Sequence, residues 1–134
     1  MSLAKNAVIT GSTSGIGLGI ATALAEAGMN ILLNGFGDAA EIERVRSDLA
    51  VKHNVKAVYS GADMTRPEQI GEMIEQARAE LGSVDVLVNN AGIQYVAAIE
   101  EFPPEKWDAI IAINLSSSFP VSYTHLTLPT MCVV

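Results

Sequence analysis

The sequence predicts an α/β fold in which helices cover both faces of a doubly wound parallel sheet. Four short apolar runs alternate with four helical segments, and this alternation predicts parallel strands joined by right-handed crossovers. The runs are apolar almost throughout, as expected of strands that are buried on both faces. A glycine-rich turn joins the first run to the first helix, which is typical of a site where a ligand approaches the backbone closely.

The first two strand–helix units have clear boundaries. The first run, residues 7–10, leads to a helix predicted over residues 15–27, which Gly28 is expected to end. The second run, residues 30–34, leads to Asp38-Ala39-Ala40-Glu41, whose spacing is that of a capping box. Apolar side chains recur at helical spacing in both predicted helices: Ile16, Ile20 and Leu24, then Ile42, Val45 and Leu49.

The third and fourth units repeat this pattern. Residues 55–59 form the third run, and its helix is expected to start at a second capping box, Thr65 with Glu68, with Pro67 in the first turn. Residues 84–88 form the fourth run, and Pro103-Pro104 opens the last helix. We expect the apolar stripes of these two helices to be buried: Ile70, Met73, Ile74, Ala77 and Leu81, then Trp107, Ile110, Ile111 and Leu115.

Chemistry-bearing residues follow the strand ends. The glycine turn, Phe36, Asp63 and residues 89–92 each come just after an apolar run. Because the carboxyl ends of parallel strands meet at one edge of the sheet, ligands bind beyond that edge. The sequence therefore predicts a single site formed by four loops.

Composition excludes several function classes. The chain has 134 residues, 49% of them hydrophobic and 17% charged, which predicts one domain with a core. Its net charge of -7 opposes binding to nucleic acid or to an anionic membrane, and no apolar stretch approaches the roughly 20 residues of a membrane helix. Cys132 is the only cysteine, and His53 and His125 lack ligand-like spacing, so we expect a cytoplasmic protein with neither a disulfide nor a metal site.

The glycine turn carries the strongest functional prediction. Gly11, Gly15 and Gly17 lie among hydroxyl residues at the start of a helix, where unpaired N–H groups and the helix dipole favour a phosphate. A nucleoside-triphosphatase loop would need a Gly-Lys-Ser/Thr sequence, and no lysine lies between Lys5 and Lys52. The turn therefore predicts a dinucleotide site, although a tight strand–helix junction alone would explain one or two of its glycines.

Four features together resemble the short-chain dehydrogenase/reductase family: Thr10-Gly11-x-x-x-Gly15-Ile16-Gly17, Asp63, Asn89-Asn90-Ala91-Gly92 and Asn114. The resemblance covers residues 1–119 and implies an oxidoreductase domain with a Rossmann-like sheet, which we expect to stop after about four strands. It implies that the cofactor contacts Gly11, Thr13, Ser14, Gly15, Ile16, Gly17, Phe36, Asp63, Met64, Asn90, Ala91 and Gly92.

Two acidic residues have competing interpretations. The resemblance implies that Asp63 contacts the adenine amino group and that Met64 covers the ring, whereas Asp63 could instead cap the next helix. Asp38 could bind the adenosine 2′-hydroxyl, but its position favours a helix cap. Residues 30–43 contain no Arg or Lys to hold a 2′-phosphate, so NAD is preferred to NADP.

The resemblance also implies two roles closer to the chemistry. Asn114 interrupts the stripe of the last helix, where we expect a buried amide; it matches the family's proton-relay position, and the alternative is a helix asparagine bonded to nearby backbone. Residues 34–38 and 89–94 resemble the branch of the family that oxidises 3-hydroxybutyrate, a small hydroxy acid. There Gln94 would bind the substrate carboxylate; otherwise it is a solvent-facing loop residue.

The family's catalytic groups have no counterpart in this sequence. The family uses a tyrosine base with a lysine four residues later, and a serine that orients the substrate. Tyr95 and Tyr123 are followed at that spacing by Ile99 and Thr127, and no lysine occurs after Lys106. We therefore expect no turnover by this chain, whereas the intact parent would be an active homo-oligomer. The rival interpretation is a non-catalytic NAD-binding or subunit-interaction module.

The final segment differs from the rest of the chain. Residues 120–134 contain no acidic residue or lysine and have no helical period. They resemble the translation of sequencing-adapter DNA, so we interpret residues 1–119 as an incomplete NAD-binding domain and residues 120–134 as a non-homologous tail. A natural β-prone tail is the alternative.

Overall fold

The fold is built around one parallel sheet. The computed structural model describes residues 4–93, 96–119 and 132–133. Within them the strand order is β3-β2-β1-β4-β5. The chain runs outward from β1 to β3 and then returns to β4 on the other side of β1, which makes the β1–β4 boundary the switch point of the sheet. The strands are β1 Asn6–Ile9, β2 Asn30–Asn34, β3 Ala57–Ser60, β4 Val86–Val88 and β5 Cys132–Val133.

Helices cover both faces of this sheet, as predicted. They are α1 Gly15–Glu26, α2 Ala39–His53, α3 Pro67–Leu81 and α4 Pro104–Ile111, which continues into a π-helical turn at Ala112–Ser116; a 3-10 turn at Ile99–Glu101 precedes α4. Alternate strand residues point to opposite faces. Ile9 and Leu33 therefore pack in the cluster that includes Ala21 and Ala25 of α1, while Leu32 packs against the opposite helix, α3.

Local signals placed most helix boundaries correctly. The Asp38 side chain accepts a hydrogen bond from the Glu41 N–H at 3.0 Å, so the predicted cap of α2 is confirmed. Gly28 follows the end of α1 with φ of 92°, the left-handed conformation expected after a helix. The α3 stripe is confirmed for Ile70, Met73, Ile74 and Ala77, which are all buried, whereas Leu81 at its end is only partly buried.

The predicted Thr65 cap of α3 is wrong. The helix starts at Pro67 with Arg66 as its N-cap residue, and no side chain makes a capping bond there. Residues that precede proline avoid the helical region, so Arg66 stays extended and the helix starts one residue later than the Thr65–Glu68 spacing requires. The Thr65 hydroxyl instead donates to the Asp63 carboxylate at 2.7 Å.

Two predicted apolar stripes are only partly buried. Ile16, at the start of α1, is 79% exposed, because the helix packs on the sheet through the smaller Gly17, Ala21 and Ala25. In α4 no residue is buried, and Trp107 is 60% exposed. Leu115, in the turn that follows, is 67% exposed. An apolar stripe shows that a face can be buried, but burial also needs a packing partner, and in the described structure Trp107 and Leu115 stay mostly exposed.

The predicted tail, residues 120–134, lies outside the described residues except for the backbone of β5. That strand runs parallel to β4, with Cys132 opposite Val86 and Val133 opposite Leu87. Among the described helices, none is long and apolar enough to cross a membrane. The part of the chain that the structure describes also has no cluster of three or more potential metal ligands.

Candidate functional site

Hydrogen bonds join the glycine turn after β1 to the loop after β4. The Thr10 hydroxyl oxygen accepts from the Asn90 N–H at 3.0 Å and from the Ala91 N–H at 2.9 Å. The Asn90 side chain in turn donates to the Gly11 carbonyl oxygen at 3.0 Å. Thr10 is 2% exposed, so these bonds are shielded from water. They hold two of the four predicted loops together at the switch point of the sheet.

Two glycines allow this close approach. A Cβ on Gly17 would lie 2.2 Å from the Gly11 carbonyl oxygen and 2.5 Å from the Asn90 side-chain nitrogen. A Cβ on Gly11, whose φ is 63°, would lie 2.9 Å from the Ala91 Cα. All three distances are well inside van der Waals contact, so the close packing of the turn requires glycine at these two positions.

The start of α1 can accept an anion. Its N-cap residue, Ser14, is extended and makes no side-chain capping bond. The first N–H groups of a helix have no partner inside the helix, and they carry the positive end of its dipole. Ser14 is exposed beside the glycine turn, so a phosphate group could bind these N–H groups without a cationic side chain.

A cleft of about 280 Å³ opens at this edge of the sheet. Seven of the predicted cofactor residues line it: Gly11, Thr13, Ser14, Phe36, Met64, Ala91 and Gly92. The other five predicted cofactor residues, which are absent from its lining, are Gly15, Ile16, Gly17, Asp63 and Asn90. Gly17 and Asn90 nevertheless support the turn, as described above. The sequence did not predict the remaining lining residues: Asn34, Gly35, Ala62, Ile93 and Ile113.

A larger cavity, of about 400 Å³, suits a dinucleotide less well. Its lining includes Glu68 and Glu72 and no residue of the glycine turn. Carboxylates there would repel a pyrophosphate. The smaller cleft is therefore the better candidate site.

Asp63 and Met64 are adjacent in the loop after β3, but only Met64 lines the cleft. Met64 is buried and lines the cleft. One oxygen of Asp63 accepts from the N–H and the hydroxyl of Thr65, and these bonds hold the pKa of the carboxyl below its ordinary value; partial burial opposes the shift, and Arg66 adds to it. The carboxylate stabilises the turn before α3 and does not cap the helix itself. Its contact with adenine stays a prediction.

Asn114 clamps the loop after β4. It lies in the π-helical turn, where its side-chain oxygen accepts from the Ile93 N–H at 2.7 Å and its amide donates to the Ile93 carbonyl at 2.8 Å. The expectation of a buried amide is wrong, because Asn114 is exposed and faces a loop instead of the sheet. A Cβ on Gly92 would lie 3.1 Å from the Asn114 side-chain oxygen, so the small residue gives this clamp room.

The proton-relay role of Asn114 stays a prediction, although π-helical turns are frequent at functional sites. Gln94, the predicted substrate ligand, lies outside the described residues.

The sequence did not predict two side chains that hydrogen-bond to the loops of the cleft. Asn34 is fully enclosed at the end of β2, and the Tyr59 hydroxyl donates to the Gly35 carbonyl oxygen in the next turn. Burial raises the pKa of Tyr59, so the hydroxyl keeps its proton for this bond. The sequence did contain a signal for Asn34, because this residue directly follows the apolar run Ile31-Leu32-Leu33. An amide that is buried with such a strand must find hydrogen-bonding partners.

The fold and the site define a class of protein. The strand order and the glycine turn at the switch point are those of a Rossmann-like dinucleotide-binding domain. Comparison with known families finds that residues 5–132 match the family described as short chain dehydrogenase. The chain therefore belongs to the short-chain dehydrogenase family, whose members are oxidoreductases.

Two similar proteins indicate which members of the family the chain resembles. The chain is 55% identical over 128 residues to D-beta-hydroxybutyrate dehydrogenase of Cupriavidus necator, covering 95% of this chain and 48% of that protein. It is 54% identical over 117 residues to the protein of the same name from Rhizobium meliloti, covering 87% of this chain and 45% of the relative. The chain thus spans about half the length of the curated relatives it matches.

Solved structures share the same architecture. A short-chain dehydrogenase/reductase mutant from Serratia marcescens superposes with a TM-score of 0.86 at 28% identity, covering 92% of this chain and 50% of that one. An alcohol dehydrogenase from Thermococcus sibiricus, solved in complex with 5-hydroxy-NADP, has a TM-score of 0.86 at 31% identity and covers 93% of this chain and 53% of its own. Both likenesses support the Rossmann-like fold.

Proposed function

We propose that this chain is the NAD-binding part of a short-chain dehydrogenase whose whole form interconverts 3-hydroxybutyrate and acetoacetate. The observation that carries the proposal is the meeting of the glycine turn, the start of α1 and the loop after β4 around one cleft. The identity of 55% to a D-beta-hydroxybutyrate dehydrogenase supports the substrate.

In this proposal each part of the cofactor contacts a different group of residues in the cleft. The pyrophosphate would bind the backbone N–H groups of residues 15–17, with the Thr13 and Ser14 hydroxyls beside it. Phe36 would pack near the adenosine, and Asp63 with Met64 would contact the adenine. Residues 90–92 would lie along the nicotinamide ribose, because the small Ala91 and Gly92 leave room in the cleft.

The residues around the end of β2 favour NAD over NADP. A 2′-phosphate adds negative charge that a protein usually compensates with Arg or Lys. Residues 30–43 contain neither and include Asp38, Glu41 and Glu43. The first cation after this segment, Arg44, pairs with Glu41 at 2.8 Å. These charges would oppose a 2′-phosphate.

The bound nicotinamide would supply a hydride acceptor, and the family's tyrosine, lysine and serine would handle the substrate proton. None of the three is recognisable in this sequence, so we propose binding without turnover. In the whole parent, Asn114 would act in the proton relay, Gln94 would bind the substrate carboxylate and several subunits would assemble. A cytoplasmic location belongs to the same proposal, since the chain has a single cysteine.

Calorimetric titration of the 134-residue chain tests this function. We expect saturable binding of NAD, competition by ADP-ribose and weaker binding of NADP. We also expect no NADH when 3-hydroxybutyrate and NAD are supplied together. Absence of saturable NAD binding by a folded preparation would refute the proposed function, and steady NADH formation would refute the inactivity of this chain.

A second candidate is a subunit-interaction module, with or without bound NAD. The exposed Trp107 and Leu115 at the last helix favour it, since large apolar side chains on a surface often mark a protein interface. Sedimentation equilibrium discriminates between the two candidates. Association that continues without NAD binding would favour the module, whereas NAD binding by a monomer would favour the first proposal.

A further inference from the structure

Asn34 is a buried amide at the end of β2 that bonds to two neighbouring loops. It is 2% exposed, and its side-chain oxygen accepts from the Gly11 N–H at 3.1 Å. Its side-chain nitrogen donates to the Ser60 carbonyl at 3.1 Å and to the Ala62 carbonyl at 3.0 Å. One side chain therefore connects the glycine turn after β1 with the loop after β3.

The backbone of Asn34 strengthens the same junction. Its carbonyl oxygen accepts from the Ser12 N–H at 2.6 Å, and its N–H donates to the Ser12 hydroxyl at 3.0 Å. That hydroxyl donates to the Ile9 carbonyl at 2.7 Å. The ends of β1, β2 and β3 are thus joined in one buried network, and a change at Asn34 would affect two loops together.

The two loops that Asn34 joins both line the cleft. The glycine turn contributes Gly11, Thr13 and Ser14 to the lining, and the loop after β3 contributes Ala62 and Met64. Asparagine meets the geometric requirement because it combines an acceptor with an NH₂ group that donates twice. Aspartate has the same shape but lacks both donors, and alanine lacks all three bonds.

We propose that Asn34 is a positioning residue that sets the separation between the phosphate-binding turn and the adenine-binding loop. The inference rests on the proposed NAD-binding function, and it assigns the spacing of the two loops in that site to one residue. Asn34 lines the cleft itself, and its effect on the two loops is exerted through Gly11 and Ala62.

Asn6 provides a matched control at the opposite edge of the sheet. It is 4% exposed, its oxygen accepts from the Asn30 side chain at 2.9 Å, and its nitrogen donates to the Leu81 carbonyl at 3.0 Å and the Ser83 hydroxyl at 2.8 Å. Its burial and its bonds match those of Asn34 in number and direction. It differs in position, because none of its partners lines the cleft.

The experiment compares Asn34→Ala with Asn6→Ala in the whole chain. We expect both variants to lose thermal stability to a similar extent. Only Asn34→Ala should weaken NAD binding, by about tenfold or more, the equivalent of about 1.4 kcal/mol. Hydrogen exchange should rise in Asn34→Ala at the amides of Gly11, Ala62 and Asp63, and in Asn6→Ala these amides should stay as protected as in the parent chain.

A milder variant, Asn34→Asp, keeps the inference testable if Asn34→Ala does not fold. It preserves the side-chain volume and the acceptor for Gly11 but loses both donors to the loop after β3, so exchange should rise at Ala62 and Asp63 and less at Gly11. The inference is overturned if exchange at these amides is unchanged, or if Asn6→Ala weakens NAD binding equally. If the parent chain does not bind NAD, the proposed function fails, and the exchange measurement still decides the role of Asn34.

Discussion

Buried asparagines lie at both ends of the parallel strands, at an amino edge and a carboxyl edge of the sheet, and they make different contacts at the two ends. At the amino edge, Asn6 and Asn30 face each other in register on β1 and β2, and Asn30 also accepts from the Lys56 N–H at 2.9 Å. At the carboxyl edge, Asn34 bonds to the Gly11 N–H in the turn after β1, to the Ser60 carbonyl at the end of β3 and to the Ala62 carbonyl in the loop that follows. The first network draws the strands together, whereas the second joins two loops that line a cleft.

The surroundings of the two asparagines explain this difference. Around Asn6 the partners are side chains and backbone of the adjoining elements, including the Asp85 carboxylate, which accepts from the Asn6 N–H at 2.9 Å. Two of the side-chain partners of Asn34, Gly11 and Ala62, lie in loops that line the cleft, and the third, Ser60, ends β3. The same hydrogen-bonding capacity therefore stabilises the fold at one edge and shapes a candidate binding site at the other. The following substitutions test whether the carboxyl edge is specialised in this way.

The largest expected effect is that of Gly17→Ala. The added methyl group would collide with the Gly11 carbonyl and the Asn90 side chain, so the free energy of unfolding should fall by about 3 kcal/mol or more, measured by urea denaturation. NAD binding should be lost as the turn is displaced. Gly19→Ala in the same helix is the control, because a Cβ there meets nothing within 4 Å and should stabilise the helix by about 0.5–1 kcal/mol. Equal effects of the two substitutions would contradict the close packing of the turn.

An intermediate effect is expected for Thr10→Val, which removes a hydroxyl with little change in shape. The Asn90 and Ala91 N–H groups would lose their acceptor at a buried position, which should cost about 1–3 kcal/mol in thermal or urea unfolding. Thr22→Val is the control, since its hydroxyl only donates to the Leu18 carbonyl within α1, and its loss should cost about 0.5 kcal/mol or less. A cost for Thr10→Val no larger than that of the control would mean that water replaces the lost bonds.

The smallest effect is expected at Asp38, which tests whether an acidic residue beside the site serves the helix or the cofactor. Asp38→Ala should lower the free energy of unfolding by about 1 kcal/mol, because α2 loses its cap, and it should leave NAD affinity unchanged. Asp38→Asn keeps a capping side chain and should retain near-parental stability. A fall in NAD affinity in both variants would instead assign Asp38 to the adenosine ribose.

Much of the fold was predictable because its signals are local. Turn glycines, caps and apolar spacing depend on residues within a few positions of one another, as for Asp38 with Glu41 and for Ile70 with Ile74. The position of the site was also predictable, since parallel strands bring their carboxyl ends to one edge. The α3 cap was not, because the conformational restriction that Pro67 places on Arg66 outweighed the Thr65 spacing.

The sequence by itself determined the alternation of strands and helices, the glycine turn and its place beside the neighbouring loops, because periodicity and backbone conformation are properties of short segments. Only the tertiary structure decided which side chains hold those loops and which apolar residues are buried. Asn34 bonds to residues 23 and 26 positions away, and Trp107 is 60% exposed on a helix that has no buried residue. Contacts between residues so far apart in the sequence depend on how the helices and strands pack, and local sequence patterns do not specify that packing.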